Sequence, residues 1–221
     1  GAGAIGGYIA VRLAEAGIPE LRLQVLARGA QLTRIRERGL TVVEAGAETT
    51  TTLQATDNAA TLGPQDVVLL CLKAPALAEA ATALAPLVSP STIIVPAMNG
   101  VPWWFPAHFG ARFTGQTLAS IDPSGEVTRS LPPGQVLGCV LHMSSALTGV
   151  GLTHQGAGRG VILGAPACNA RPADLQRVAD LLAAACARGD EARCRLERVD
   201  LLHHRRGDGQ GQIVLLAQSP E

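Results

Sequence analysis

The chain opens GAGAIGGYIAVRLAEAG, in which Gly1, Gly3 and Gly6 stand at G-x-G-x-x-G spacing. Glycines so placed let the backbone turn tightly, approach a pyrophosphate and bring the next helix close to a sheet. The same spacing also makes a plain tight turn, and in a chain with 25 glycines it recurs by chance, so its setting must decide. Three other residues with usable chemistry stand at the ends of apolar runs. Arg28 closes LRLQVLAR, at the point, about 20 residues past the glycines, where a dinucleotide fold sorts its cofactors. A carboxylate there accepts from a ribose 2′-OH, whereas an arginine pairs with a 2′-phosphate. LARGAQ contains no acid, which disfavours the unphosphorylated cofactor; a solvated arginine at a strand end is the alternative reading. Lys73 closes DVVLLCLK and is the only lysine in the chain. Asn99 follows STIIVPAM in an Asn-Gly pair, which also serves simply as a turn.

Positioning these residues requires alternating helices and strands. Ile5, Ile9 and Leu13 recur every fourth residue and Gly17 follows as a stop, which predicts a helix whose N-terminus points at the glycines. The free N–H groups and dipole of such an end suit a phosphate. Leu21, Leu23 and Val25 alternate with Arg22 and Gln24, as in a strand ending at Arg28. Asp66–Lys73 and Thr92–Val95 are near-continuous apolar runs, the pattern of strands buried on both faces. Between them an apolar helix pattern runs through Leu77, Ala81, Leu84 and Leu87. This α/β alternation predicts a parallel sheet. Ligands of such sheets sit outside the carboxyl ends of the strands, so the glycine turn, Arg28, Lys73 and Asn99 are expected to face one crevice. Numbering begins at the first glycine, and the strand that should lead into it is expected to be missing. Further on, GCVLHMSS and LTHQGAGRGVILG read as strands and PADLQRVADLLAAA as a helix. IDPSGEVTRSLPPGQV reads as a hairpin or exposed loop turning at Ser124-Gly125.

Composition narrows the function classes. The formal net charge is zero and aromatic residues make up 3%, so no basic stripe interleaved with aromatics points to nucleic acid. No apolar run reaches the ~18 residues of a membrane-crossing helix, and the start has neither a charged nor an apolar signal region. Cys71, Cys139, Cys168, Cys186 and Cys194 are odd in number, scattered and without C-x-x-C spacing, which predicts reduced thiols in a cytoplasm and no zinc or other metal site. A phosphate loop of the nucleotidase type is excluded because no Gly-Lys-Ser/Thr follows the glycines. His142 and His154 lie in strand-like runs and read as structural, and His203-His204 lacks a partner at ligand spacing. Trp103 and Trp104 either wall the crevice or pack beneath a loop.

GAGAIGGYIA, the strand ending in Arg28, LCLKA, N-G-V with its PWWF continuation, and LTHQGAGRGVILG occur in this order. Together they resemble the ketopantoate reductase (2-dehydropantoate 2-reductase) family over residues 1 to about 185. The resemblance implies an α/β, Rossmann-like, doubly wound NADP-binding domain, taken as residues 1–187, and in the family a helical domain that completes the active site. It implies hydride transfer from NADPH to the ketone of 2-dehydropantoate, a small-molecule partner, giving pantoate for pantothenate biosynthesis. It carries Gly1, Ala2, Gly3, Ala4, Ile5 and Gly6 onto the pyrophosphate and Arg28 onto the 2′-phosphate. Lys73 falls on the cofactor side of the cleft, Asn99 on both cofactor and substrate, and Ser144 on the nicotinamide. The family's general acid is a lysine in a K-L-x-x-N-type helix; no lysine follows Lys73, so no catalytic residue is assigned. Residues 188–221 are expected to form an aberrant, solvated tail where the helical domain should stand, as a frameshift or early stop would produce, leaving an inactive copy. The alternatives are a non-catalytic NADP-binding protein and a reductase of the wider 6-phosphogluconate dehydrogenase-like superfamily acting on another keto acid. A homo-oligomer is compatible with either.

Overall fold

The computed structural model describes residues 2–108, 111–113, 115–166, 172–186 and 216–217. Gly1, Cys168, Cys194, His203, His204 and most of 188–221 lie outside the described residues. The first half runs α1 (Ala4–Glu15), β1 (Gln24–Leu26), α2 (Gly29–Arg38), β2 (Leu40–Glu44), β3 (Ala47–Thr51), β4 (Gln54–Thr56), β5 (Val67–Cys71), α3 (Ala74–Leu84) and β6 (Ile93–Pro96). The second half runs α4 (Phe105–His108), α5 (Glu126–Ser130), β7 (Gly138–His142), β8 (Ser145–Gly149), β9 (Leu152–Gln155), β10 (Gly160–Gly164), α6 (Pro172–Cys186) and β11 (Leu216–Ala217).

The continuous apolar runs become the centre of the sheet for the reason their composition implies. On β5, Val67 and Leu69 face one buried cluster while Val68 and Leu70 face the other. On β6, Ile93 and Val95 face the first and Ile94 the second. A strand whose side chains alternate between two cores needs apolar residues at every position, and each side chain so buried contributes about 1.5–3 kcal/mol. The first cluster joins α1, β1, α2, β2 and α6; the second holds α3, Trp103, Trp104, Val127 and Leu131.

Among the described residues β1 pairs in parallel with β4, β5 with β6 and β2 with β9. β11 pairs in parallel with β5, Leu216 opposite Leu70 and Ala217 opposite Cys71, and also lies against β1 and α1. A second sheet, in the order β3-β2-β9-β8, covers α1, and β10 pairs antiparallel with β7. Leu137 donates its N–H to Ile94 O at 2.9 Å and so attaches the start of β7 to β6.

Beneath α1, Glu44 is 4% exposed and accepts from Tyr8 Oη at 3.1 Å and Arg159 Nε at 2.9 Å, with Arg12 Nη2 at 3.6 Å. This paired cluster ties α1 to β2 and to the loop before β10; burial, reinforced by the Glu44 charge, raises the Tyr8 hydroxyl and keeps it protonated.

Two local expectations are corrected. The strand expected over 21–28 is confined to Gln24–Leu26, because Glu20 takes φ +65° and Leu21 donates to Ile18 O at 3.2 Å in a turn. The stretch around Ser124-Gly125 is not a hairpin. Gly125 does turn the chain at φ +68°, but Asp122 then starts α5 by accepting from Val127 N at 3.0 Å, Thr128 N at 2.9 Å and Thr128 Oγ1 at 2.7 Å. A carboxylate that satisfies two free N–H groups favours a helical turn over a hairpin.

Candidate functional site

The glycine turn reaches α1 through Ala2 and Gly3, both buried, with Gly3 extended at φ −74° and ψ −165°. Gly7 makes the first intrahelical bond, donating to Gly3 O at 2.7 Å. The N–H groups of Ala4, Ile5 and Gly6 precede any such acceptor and have no partner within the helix, the arrangement that suits an anion. No acidic residue stands in the first turn of α1 to repel an anion. Gly7 permits the close packing beneath, since a Cβ there would lie 3.0 Å from Thr153 Oγ1 on β9 and 3.7 Å from Ala2 O.

Arg28 follows β1 and caps α2 with extended backbone, its own carbonyl receiving Leu32 N–H at 3.3 Å. Its side chain is exposed, and among the described residues its guanidinium has no hydrogen bond or ion pair. Lys73 stands likewise at the N-cap of α3, exposed, with its ammonium unpaired among the described residues. Both cations therefore stand where their strands end, as the alternation of elements requires.

Asn99 and Ser144 are placed differently. Asn99 donates from Nδ2 to Leu141 O at 3.0 Å and accepts Leu141 N–H on Oδ1 at 2.9 Å, so its amide pairs with β7 as a strand residue would. One hydrogen on Nδ2 and one lone pair on Oδ1 stay available. Ser144 Oγ accepts from Ala157 N at 2.7 Å and donates to Ala157 O at 3.2 Å. Its hydroxyl thus closes the loop of Gly156, Ala157 and Gly158 over the end of β7. Gly158, at φ +74°, lies so close to β7 that a Cβ would stand 2.3 Å from His142 O.

Beside Asn99, a cavity of about 210 Å³ opens between Met98, Trp104, Phe105, Val140 and Ile162. Trp103 is not a wall of it; its Nε1 donates to Leu131 O at 3.0 Å inside the second core. Trp104 packs in that core and also reaches the cavity. His142 and His154 sit exposed on β7 and β9. Burial pushes the Cys71 thiol up to about 12 and raises Cys139 as well, so both stay protonated at neutral pH. Among the described residues no group of three His, Cys, Asp or Glu side chains could hold a metal ion, and no helix is long and apolar enough to cross a membrane.

One residue of this site escapes the motif reading. Gln31, on α2, is 4% exposed, donates from Nε2 to Ala2 O at 2.7 Å and accepts Gly151 N–H on Oε1 at 2.8 Å. The signal in the sequence is a polar residue four before Ile35 on the buried face of α2.

Known proteins share this sequence pattern and fold. The family model described as ketopantoate reductase PanE/ApbA matches residues 1–166. A 2-dehydropantoate 2-reductase from Mesorhizobium japonicum is 39% identical over 166 residues, covering 75% of this chain and 50% of the relative. A crystal structure of a candidate ketopantoate reductase from Ralstonia solanacearum superposes with TM-score 0.70 at 48% identity, covering 76% of this chain and 51% of that one. The 2-dehydropantoate 2-reductase of Porphyromonas gingivalis superposes with TM-score 0.60 at 26% identity, covering 83% and 59%. The chain thus spans about half the length of the curated relative it matches. With the glycine turn, the α/β sheet and the ordered motifs in place, this chain belongs to the ketopantoate reductase PanE/ApbA family.

Proposed function

We propose that this chain is the cofactor-binding half of an NADPH-dependent 2-dehydropantoate 2-reductase. The observation that carries the reading is Arg28, an exposed guanidinium just past β1, unpaired among the described residues, with no acid in the segment from Leu26 to Gln31. The turn fits a dinucleotide, with free N–H groups on Ala4, Ile5 and Gly6 to bind its pyrophosphate and Arg28 to bind its 2′-phosphate. Lys73 adds a second exposed cation, just past the end of β5 at the N-cap of α3. NADPH, when bound, supplies the hydride for reduction of a 2-oxo group. Asn99 holds β7 in place and offers its spare donor and acceptor toward nicotinamide and substrate. Ser144 shapes the same wall through the loop it closes, and the apolar cavity beside Asn99 receives the branched carbons of the substrate.

The proton that the developing alkoxide needs is assigned to no described residue, since Lys73 stands on the cofactor side. A cytoplasmic setting fits its unpaired, protonated Cys71 and Cys139.

Arg28→Asp tests the cofactor assignment. A charge-assisted pair is worth roughly 1.5–3 kcal/mol, so NADPH binding should weaken about tenfold or more while NADH binding changes little. Titration by nicotinamide fluorescence reads both. Equal losses for the two cofactors, or none for either, would remove Arg28 from the site.

A further inference from the structure

We propose that Gln31 is a positioning residue of the cofactor site, its buried amide setting the glycine turn at the height from which α1 presents its free N–H groups. The inference rests on the reading above that this turn takes a dinucleotide pyrophosphate. Gln31 joins two backbone groups that have opposite needs. Ala2 O requires a donor and receives Nε2 at 2.7 Å; Gly151 N–H requires an acceptor and finds Oε1 at 2.8 Å. Turning the amide over would set oxygen against oxygen and N–H against N–H, so the two neighbours fix its orientation. The three parts so joined are the turn before α1, the helix whose N-terminus carries Arg28, and the turn between β8 and β9. Gly151 is close enough to α2 that a Cβ on it would lie 2.5 Å from Arg34 Cγ, which holds the β8–β9 turn against that helix. Its carbonyl accepts from Thr41 N at 2.9 Å, which anchors the same turn to β2. Ala2 is fully buried, so without Gln31 its carbonyl would have no solvent to turn to. The Ala2–Gly3 peptide leads straight into the N-terminus of α1, and any rotation that lets Ala2 O seek another donor re-aims the N–H groups of Ala4, Ile5 and Gly6.

Two substitutions separate positioning from simple stability. Gln31→Glu keeps the size and the acceptor for Gly151 but, when ionised, sets a carboxylate oxygen against Ala2 O; when protonated, it can donate again. Gln31→Met keeps the volume and removes both bonds at every pH. The measurement is calorimetric titration of the full chain with NADP⁺ and with NAD⁺ from pH 5.5 to 8.5, beside thermal unfolding of each variant.

At pH 8 both variants should bind each dinucleotide about tenfold or more weakly, with the NADP⁺ to NAD⁺ preference kept, because the pyrophosphate is common to both. Gln31→Glu should recover most of its affinity toward pH 5.5, while the unmutated chain and Gln31→Met show no such recovery. Variants that unfold at lower temperature yet keep the affinity of the parent chain, or a Gln31→Glu loss that does not reverse in acid, would overturn the proposal. Should the parent chain take up neither dinucleotide, the cofactor reading fails, and the clamp is then read from the amide resonances of Gly3 to Gly7. If those resonances in Gln31→Glu do not follow titration of the substituted carboxyl, the positioning role falls as well.

Discussion

The Asn99 amide serves the fold first. Its two bonds to Leu141 hold β7 against the end of β6, at the mouth of the cavity lined by Met98 and Val140. Replacing it by alanine leaves the Leu141 N–H and C=O without their partners, and Leu141 is 8% exposed. Asn99→Ala should therefore cost roughly 1–3 kcal/mol of stability, seen as a lower midpoint in urea at unchanged slope. A variant as stable as the parent chain but poorer in dinucleotide binding would instead assign the amide wholly to the ligand. Resemblance assigns Asn99 to the ligands alone; its first task, pairing with a strand 42 residues away, is visible only in three dimensions.

Among the elements, α5 depends most plainly on a single group. Burial on its own would raise the Asp122 carboxyl, but the hydroxyl and N–H of Thr128 and the N–H of Val127 outweigh it and hold the carboxyl below its ordinary range. A folded-state value below the unfolded one, near about 3.9, means that this stabilisation is fully present above the unfolded value and is lost as pH falls through the folded one. Asp122→Ala should accordingly destabilise the chain by about 1–2 kcal/mol at pH 7, and the gap from the parent chain should close as pH falls below the unfolded value and through the lower folded one. Equilibrium unfolding followed at several pH values measures both, and a gap constant with pH would mean that the charge of Asp122 contributes nothing. Pattern alone could not find this helix, since five residues from Glu126 to Ser130 are too few for an apolar period to declare itself.

At the scale of the whole molecule, β5 and β6 feed both buried clusters, while the proposed cofactor groups stand past the ends of β1 and β5 and at the turn before α1. A dinucleotide spanning these ends binds the folded sheet and not the unfolded chain, so it should stabilise the molecule as a unit. At about 100 times its dissociation constant NADP⁺ should add about 2.7 kcal/mol, raising Tm by roughly 5–10 °C for a domain of this size. NAD⁺ at the same concentration should raise it less, and Arg28→Asp should bring the two shifts together. Circular dichroism during heating measures this. Equal shifts in the parent chain would dismiss selection by the 2′-phosphate.

By itself the sequence determined the α/β alternation, the glycine turn into α1, the two strands buried on both faces and the basic residues at the strand ends. These rest on local spacing: a period of two or of 3.6 residues and a glycine pattern are legible within one segment. The tertiary structure decided which polar atoms remain for a ligand. It put the Asn99 amide on Leu141, the Ser144 hydroxyl on Ala157, and Gln31 between Ala2 and Gly151, the last 120 residues away. It also set Leu216–Ala217 beside β5. Such pairings follow from the register and packing of distant segments, where an unmet buried donor or acceptor is costly, and no local periodicity encodes which distant partner will meet it.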